Sequence, residues 1–240
     1  MMLLVLLALT VPEVWQAGRQ MDTLRLRTVH QEAWQQFHRE GTAHSRLLVA
    51  LADLYRVQAA LATRRPEAAR SALQEALRLL EAVPETQRTA DLWAFLGNFY
   101  GTALALAPWY RRPGLGRRAS EALHRAVQQD SLNPRVWLFL GIQAFYTPRL
   151  FGGGAEKALQ RLDRALALYR QLSVDPFWHR WGEDLALFYR ARALMRLGHE
   201  ADARQALNTC LQRYPDFQEA RAWLRRLQEV SSNPQKEVKP

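Results

Sequence analysis

Large apolar residues recur along the chain at the spacing of a helical face, and the clearest stretch is residues 93–100, Trp-Ala-Phe-Leu-Gly-Asn-Phe-Tyr. Its tryptophan, leucine, glycine and final tyrosine are three, one and three residues apart, so they share one face of an α-helix. A glycine costs about 1 kcal/mol of helix propensity relative to alanine. Gly97 on this apolar face therefore indicates that a neighbouring helix approaches too closely for a side chain.

The same pattern returns at Trp137, Leu140 and Gly141, in a segment that Pro134 opens. A second pattern, in which small residues lie seven apart with a leucine between them, predicts the helices that pack against the first set. Gly198 lies at the predicted turn between the last two helices of the repeats, and Pro215 follows the second of them. No stretch alternates as a strand does, so an all-α chain of helix–turn–helix pairs is expected. The second pattern occurs at Ala69/Leu73/Ala76, Ala119/Leu123/Ala126, Ala158/Leu162/Ala165 and Ala203/Leu207/Cys210.

From about Ser45 to Gln228 these motifs resemble the tetratricopeptide repeat family, whose units contain about 34 residues. The first unit departs from the family pattern at Val57, and the fourth at Arg190 and Ala191. The resemblance implies an all-α fold, an α-α superhelix (TPR-like solenoid) of about four repeats with helical caps. The predicted organisation is a signal peptide over residues 1–18, an N-terminal capping helix over 19–43, the repeat domain over 44–229 and a disordered tail over 230–240.

Two units carry insertions, at residues 108–118 and 146–154, and insertions in repeat arrays fall on loops of one face. The segment Arg149–Ala158 resembles a turn found in a bacterial subgroup of exported tetratricopeptide proteins, as does Trp181-Gly182. That subgroup includes the T component of TRAP-type solute transporters. The resemblance implies an envelope scaffold that works beside a separate solute-binding protein. A small-molecule ligand would then be bound through that partner.

Met1–Val11 is an apolar run that is too short to span a bilayer and fits the apolar segment of a secretory signal. No basic residue precedes the run, and Trp15 occupies a position where a cleavage site needs a small residue. We expect a periplasmic or secreted protein without a transmembrane span. A buried N-terminal helix in a cytoplasmic protein is the alternative. Gln20–Arg39 reads as the amphipathic capping helix.

The chain of 240 residues has 33 Lys and Arg against 23 Asp and Glu, a formal charge of +10. Its arginines are spread over every unit rather than clustered, and no RNA-binding motif is present. A basic cytoplasmic scaffold associated with nucleic acid or acidic proteins is therefore an alternative function, and the less favoured one. The single cysteine, Cys210, holds a small packing position and is expected in the core.

The sequence carries no pattern of a catalytic or metal site. The six histidines lie outside metal-ligand spacing of Cys210, and the Gly152-Gly153-Gly154 run lacks the strand and the Gly-Lys-Ser/Thr of a phosphate-binding loop. No serine lies in a nucleophile elbow. We expect a protein that is not an enzyme and that uses no cofactor and no metal.

In the tetratricopeptide architecture the first helices line a concave groove, so the resemblance implies binding of a protein partner or ligand in that groove. Aromatic and arginine side chains carry much of the binding energy of interfaces, although an ordinary mixed surface or a self-association face would also fit. The helical phase selects as groove residues Asp91, Asn98, Thr102, Arg135, Leu138, Ile142, Tyr146, Phe188, Arg192 and Arg196. The insertions add as contact residues, or as lids over the core, Trp109, Tyr110 and Phe151.

Overall fold

The structure is a computed structural model that describes residues 9–172 and 180–232, with side chains up to residue 229. Within those ranges the chain forms α-helices and short 3₁₀ turns, with no strand, so the predicted all-α class is confirmed. The α-helices are Val11–Arg19 (α1), Thr23–Glu40 (α2), Ala43–Ala62 (α3), Pro66–Glu81 (α4), Ala90–Leu106 (α5), Arg112–Gln129 (α6), Pro134–Tyr146 (α7), Ala155–Gln171 (α8), Glu183–Arg196 (α9), Glu200–Arg213 (α10) and Gln218–Ser232 (α11).

The described residues up to Val83 form one compact unit, here unit 1, in which α3 is the central helix. Helices α1, α2 and α4 all pack on α3, and α3 is buried along most of its length because alanine and leucine fill every side of it. The predicted capping helix is α2, which Asp22 caps by accepting hydrogen bonds from the backbone N–H groups of Leu24 and Arg25, both at 3.0 Å.

The apolar N-terminal segment is described from residue 9 onward, and its last part is the folded helix α1. Val14 and Trp15 of α1 are buried, and Gly18 meets the ring of Tyr55 on α3. Thr10 and Glu13 form a capping box at the start of α1. Cleavage near residue 18 would remove this packed helix, and the signal peptide remains a prediction. The predicted tail begins inside α11, and residues 233–240 lie outside the described residues.

The described residues from Pro84 onward form the second compact unit, unit 2. It contains three helical hairpins, α5/α6, α7/α8 and α9/α10, and α11 packs on α10. Helices α5, α7 and α9 are neighbours, and we call them the first-helix layer, while α6, α8 and α10 pack behind them. With the α3/α4 hairpin of unit 1, this arrangement agrees with the predicted four helix–turn–helix repeats.

Gly97 and Gly141 mark close approaches between the two helices of a hairpin. A Cβ atom on Gly97 would lie 2.5 Å from Cγ of Leu123 on α6. A Cβ atom on Gly141 would lie 2.6 Å from Cγ of Leu162 on α8. The leucine of each second helix thus occupies the space that a side chain on the first helix would need, which is the packing that the sequence motif predicts.

An aromatic stack joins α5 to α7. The rings of Phe95 and Phe139 lie 5.4 Å apart, and the ring of Trp181, which precedes α9, stacks on Phe95 at 5.3 Å. The buried hydroxyl of Tyr169 donates to the carbonyl of Trp181 at 2.8 Å and so fixes the segment that leads into α9. The stack makes consecutive repeats share one core.

The two insertions differ from the expected loops. Each begins with a proline and a 3₁₀ turn, Trp109–Arg111 in the first and Arg149–Phe151 in the second. Residues 112–118 are then helical and extend α6 at its start, because Pro113 lies in the first turn, where a missing N–H leaves no hydrogen bond unmade. The prediction of a loop over this part of the insertion was wrong.

None of the helices in the described ranges has both the length and the apolar composition of a membrane span.

We expect Gly97→Ala to lower the free energy of unfolding by about 1–3 kcal/mol, because the added methyl overpacks the contact with Leu123. The measurement is urea denaturation of the full chain followed by circular dichroism. The matched control is Gly101→Ala in the same helix, where no atom lies within 4 Å of the added Cβ. That control should gain about 0.5–1 kcal/mol from helix propensity. Equal effects of the two substitutions would contradict the close-approach account.

Candidate functional site

At the end of unit 2, the guanidinium of Arg192 lies among five aromatic rings supplied by α7, α9 and α11. We call these residues, together with Arg196 and Glu219, the Arg192 cluster. The distances from Cζ of Arg192 to the ring centroids are 4.7 Å for Phe145, 5.1 Å for Tyr189, 5.3 Å for Trp223 and 5.7 Å for both Tyr146 and Phe188. All lie within the range of cation–π attraction.

Helical spacing explains why these residues meet. Phe188 and Tyr189 lie four and three residues before Arg192 on α9. Both rings are therefore neighbours of Arg192 on one side of that helix. Phe145 and Tyr146 end α7, the neighbour of α9 in the first-helix layer. The closing helix α11 contributes the remaining ring.

The polar atoms of Arg192 are only partly used by the protein. Its Nη1 donates to the hydroxyl of Tyr146 at 3.0 Å, and that hydroxyl lies 3.4 Å from the hydroxyl of Tyr189. Burial raises the pKa of Tyr189 well above its usual range, so this phenol stays protonated. Nε of Arg192 is buried and has no hydrogen-bond partner among the described residues. A buried N–H without an acceptor is costly, so this donor is available to an acceptor from beyond the described residues.

Arg196 adds a second positive charge one turn further along α9. Its Cζ lies 3.6 Å from the ring centroid of Phe145, and its Nη1 donates to the carbonyl of Phe145 at 2.5 Å. Burial, and then the charge of Arg192, lower the pKa of Arg196. Within the described residues neither guanidinium forms an ion pair with a carboxylate.

Glu219 on α11 is the acidic group that acts on this site. Burial raises the pKa of Glu219, and the charge of Arg192 offsets part of that effect. Tyr146 is 57% exposed and Arg196 is also exposed, so the cluster opens to solvent on the side where α7 ends. The cluster is therefore an open, apolar-walled site with two guanidinium groups, which suits a ligand that carries a carboxylate or another anion.

Four of the residues predicted for the groove meet in this cluster, namely Tyr146, Phe188, Arg192 and Arg196. Of these, Phe188 is buried, so it belongs to the interior of the cluster. The sequence reasoning missed Phe145, Tyr189, Trp223 and Glu219. The last two belong to α11, and its aromatic and acidic residues one turn apart were the available signal.

Asp91 and Arg135 make a buried ion pair that links α5 to α7. Arg135 donates from Nε to Oδ1 of Asp91 at 2.7 Å and from Nη2 to Oδ2 at 2.9 Å, and the amide of Asn133 donates to Oδ1 at 3.0 Å. Both carboxylate oxygens are thus used inside the protein. These two predicted groove residues act as a clamp between repeats.

The other predicted groove residues lie apart from the Arg192 cluster. Leu138 and Ile142 are buried in the first-helix layer, while Asn98 and Thr102 are half-buried on α5. The hydroxyl of Thr102 donates to the carbonyl of Asn98 at 3.0 Å. The three aromatic residues of the insertions, Trp109, Tyr110 and Phe151, are all exposed.

Unit 1 contains a polar cluster that the sequence reasoning did not identify. Nη1 of Arg56 lies 2.7 Å from Oδ1 of Asp53, 2.8 Å from Nε2 of His30 and 2.9 Å from Oε2 of Glu75. Asp53 is fully buried, and burial raises its pKa, while His30 and Arg56 offset part of the effect. His30, Asp53 and Glu75 could hold a metal ion by their spacing, but Arg56 places its own positive charge among their ligand atoms.

Comparison with known proteins places this chain by its fold. No family model matches the sequence, and no curated protein matches it significantly. Among solved structures, the HusA haemophore from Porphyromonas gingivalis is similar, with a TM-score of 0.53 and 22% identity over 78% of this chain and 94% of that protein. YrrB, a TPR protein with an unusual peptide-binding site, has a TM-score of 0.38 and 16% identity over 83% of each chain. The first of these likenesses shows a shared all-α fold.

We expect Asp91→Ala to lower the free energy of unfolding by about 3 kcal/mol, because it leaves Arg135 buried without its carboxylate. Urea denaturation of the full chain measures the change. The control is Asp163→Ala, which removes the partly exposed ion pair with Arg190 at 2.7 Å and should cost no more than about 1 kcal/mol. If the two substitutions cost the same, Asp91 does not clamp the repeats.

Proposed function

We propose that this protein is a non-catalytic scaffold that binds a protein partner through the first-helix layer of unit 2. The Arg192 cluster would receive a carboxylate of the partner, either a side chain or the C-terminus. The observation that carries this proposal is a guanidinium enclosed by five aromatic rings, with a buried Nε that lacks an acceptor among the described residues.

The chemistry of the site favours a peptide with an acidic group next to an apolar residue. Hydrogen bonds between charged groups contribute more than neutral ones, and a guanidinium can bind a carboxylate with two parallel hydrogen bonds. The exposed ring of Tyr146 and the stem of Arg196 offer apolar surface beside the charges. Arginine and tyrosine together are typical of the residues that dominate binding energy in interfaces.

We also propose that the protein works in the bacterial cell envelope, as an accessory to solute uptake. This proposal rests on the apolar segment Met1–Val11 and on the resemblance of residues 149–158 to the exported subgroup. A cytoplasmic scaffold for nucleic acid or acidic proteins is the alternative, supported by the formal charge of +10.

The binding test uses fluorescein-labelled peptides that end in an apolar residue, each made with a free C-terminal carboxylate and as the amide. We expect fluorescence polarisation to show preference for the free carboxylate. Arg192→Gln should weaken that binding by at least about tenfold, because a charged hydrogen bond contributes about 1.5–3 kcal/mol.

The matched control for this test is Arg190→Gln on the same helix, whose guanidinium pairs with Asp163 of α8 and does not belong to the cluster. It should bind as the wild type does. Circular dichroism checks that both variants fold. Equal binding of acid and amide, or unchanged binding by Arg192→Gln, would count against the proposal.

A haem-like ligand is a second candidate. Two tyrosine hydroxyls lie 3.4 Å apart beside two arginines, and tyrosine oxygen can ligate haem iron while arginine pairs with propionate carboxylates. The likeness to a haemophore supports the same idea at the level of fold.

If haem binds at this site, titration of the protein with haem shifts the Soret band, and Tyr146→Phe alters that shift. The control is Tyr110→Phe, which changes an exposed tyrosine in the first insertion. A titration with no saturable spectral change would exclude this candidate.

A further inference from the structure

The two insertions of unit 2 form matching projections. Each 3₁₀ turn follows the end of a first helix, with Pro108 before Trp109–Arg111 and Pro148 before Arg149–Phe151. Four large apolar side chains extend from these turns into solvent. Their exposed fractions are 79% for Trp109, 63% for Tyr110, 89% for Leu150 and 75% for Phe151.

Both projections lie at the same edge of unit 2. Asp91 and Arg135 join the first turns of α5 and α7, and Phe95 and Phe139 pack together one turn later in each helix. The two helices therefore run parallel, so their C-terminal ends and the turns that follow are neighbours. We call this edge, with its two 3₁₀ turns, the loop edge.

The loop edge is strongly basic. The sequence has no acidic residue between Asp91 and Glu121, and none between Asp130 and Glu156. The two insertions supply five arginines, and Arg149 lies 3.4 Å from a carboxylate oxygen of Glu156. The exposed arginines are Arg111, Arg112, Arg117, Arg118 and Arg149.

We propose that the loop edge docks on the surface of an anionic lipid bilayer. Exposed apolar side chains at the tips of convex turns suit a soft surface that they can enter, whereas a folded protein partner would need a groove to receive them. Tryptophan and tyrosine favour the membrane–water interface, and the surrounding arginines complement anionic headgroups. Tyr146 of the Arg192 cluster ends α7 just before the second 3₁₀ turn, so the cluster lies beside the loop edge and a partner bound there would lie close to the membrane surface.

The test is cosedimentation of the full chain with two kinds of vesicle, phosphatidylcholine alone and phosphatidylcholine mixed with phosphatidylglycerol. We expect binding to the anionic vesicles to be stronger by at least about tenfold. The Trp109→Ser/Phe151→Ser double variant should lose most of it. Both side chains are exposed, so the variant should fold.

The matched control is Leu132→Ser, which removes an exposed leucine from the turn between α6 and α7. That turn lies at the opposite edge, because the amide of Gln129 donates to the carbonyl of Arg88, just before α5, at 2.9 Å. The control should bind vesicles as the wild type does, and Arg111→Gln/Arg117→Gln should weaken binding to anionic vesicles only.

Tryptophan fluorescence gives an independent measurement. We expect anionic vesicles to shift the emission of the wild type to shorter wavelength, and Trp109→Phe to remove the shift. No binding to either vesicle, or equal binding by the Trp109→Ser/Phe151→Ser variant, would overturn the proposal.

Discussion

The close approach of paired helices at Gly97 and Gly141 is the constraint on which unit 2 depends. With no side chain at either position, Leu123 and Leu162 of the second helices reach the backbone of the first helices. The two helices of each hairpin therefore pack closely, and between the neighbouring first helices Phe95 packs against Phe139 at a ring distance of 5.4 Å. Because a protein interior is close-packed, one methyl at either glycine would displace a leucine and disturb the layer that carries the candidate site.

Arginine has three physical roles in unit 2, and the arginine content of the sequence alone does not distinguish them. Arg135 is buried and donates two hydrogen bonds to Asp91, so it stabilises the contact between repeats. Arg192 lies among aromatic rings and keeps a buried N–H without an acceptor in the described chain, so it is the proposed binding group. The arginines of the insertions remain exposed and give the loop edge its charge. Arginines in these three environments therefore contribute to fold stability, to the proposed partner binding and to the proposed membrane contact, respectively.

The fold was largely predictable because its signals are local. Helical periodicity, the two glycines and the alanines seven residues apart lie within single helices and determine which faces pack. The sites were less predictable because they depend on pairs distant in sequence. Asp91 and Arg135 are 44 residues apart, and nothing in their neighbourhoods shows that each satisfies the other. Trp223 reaches Arg192 only because α11 folds back on the last hairpin. In unit 1, Asp53 is a buried acidic residue in a largely apolar helix. Its role can be inferred only from its contacts with Arg56 and His30.

Arg192 is the proposed group that binds the partner's carboxylate. Nuclear magnetic resonance of arginine side chains tests this role most directly. In a ¹⁵N–¹H spectrum, the Nε–H signal of Arg192 is identified by its loss in Arg192→Lys. During titration with a peptide that has a free C-terminal carboxylate, the account predicts that this signal moves more than those of Arg190 and Arg135. A peptide that binds while the Arg192 signal stays in place would contradict the central claim.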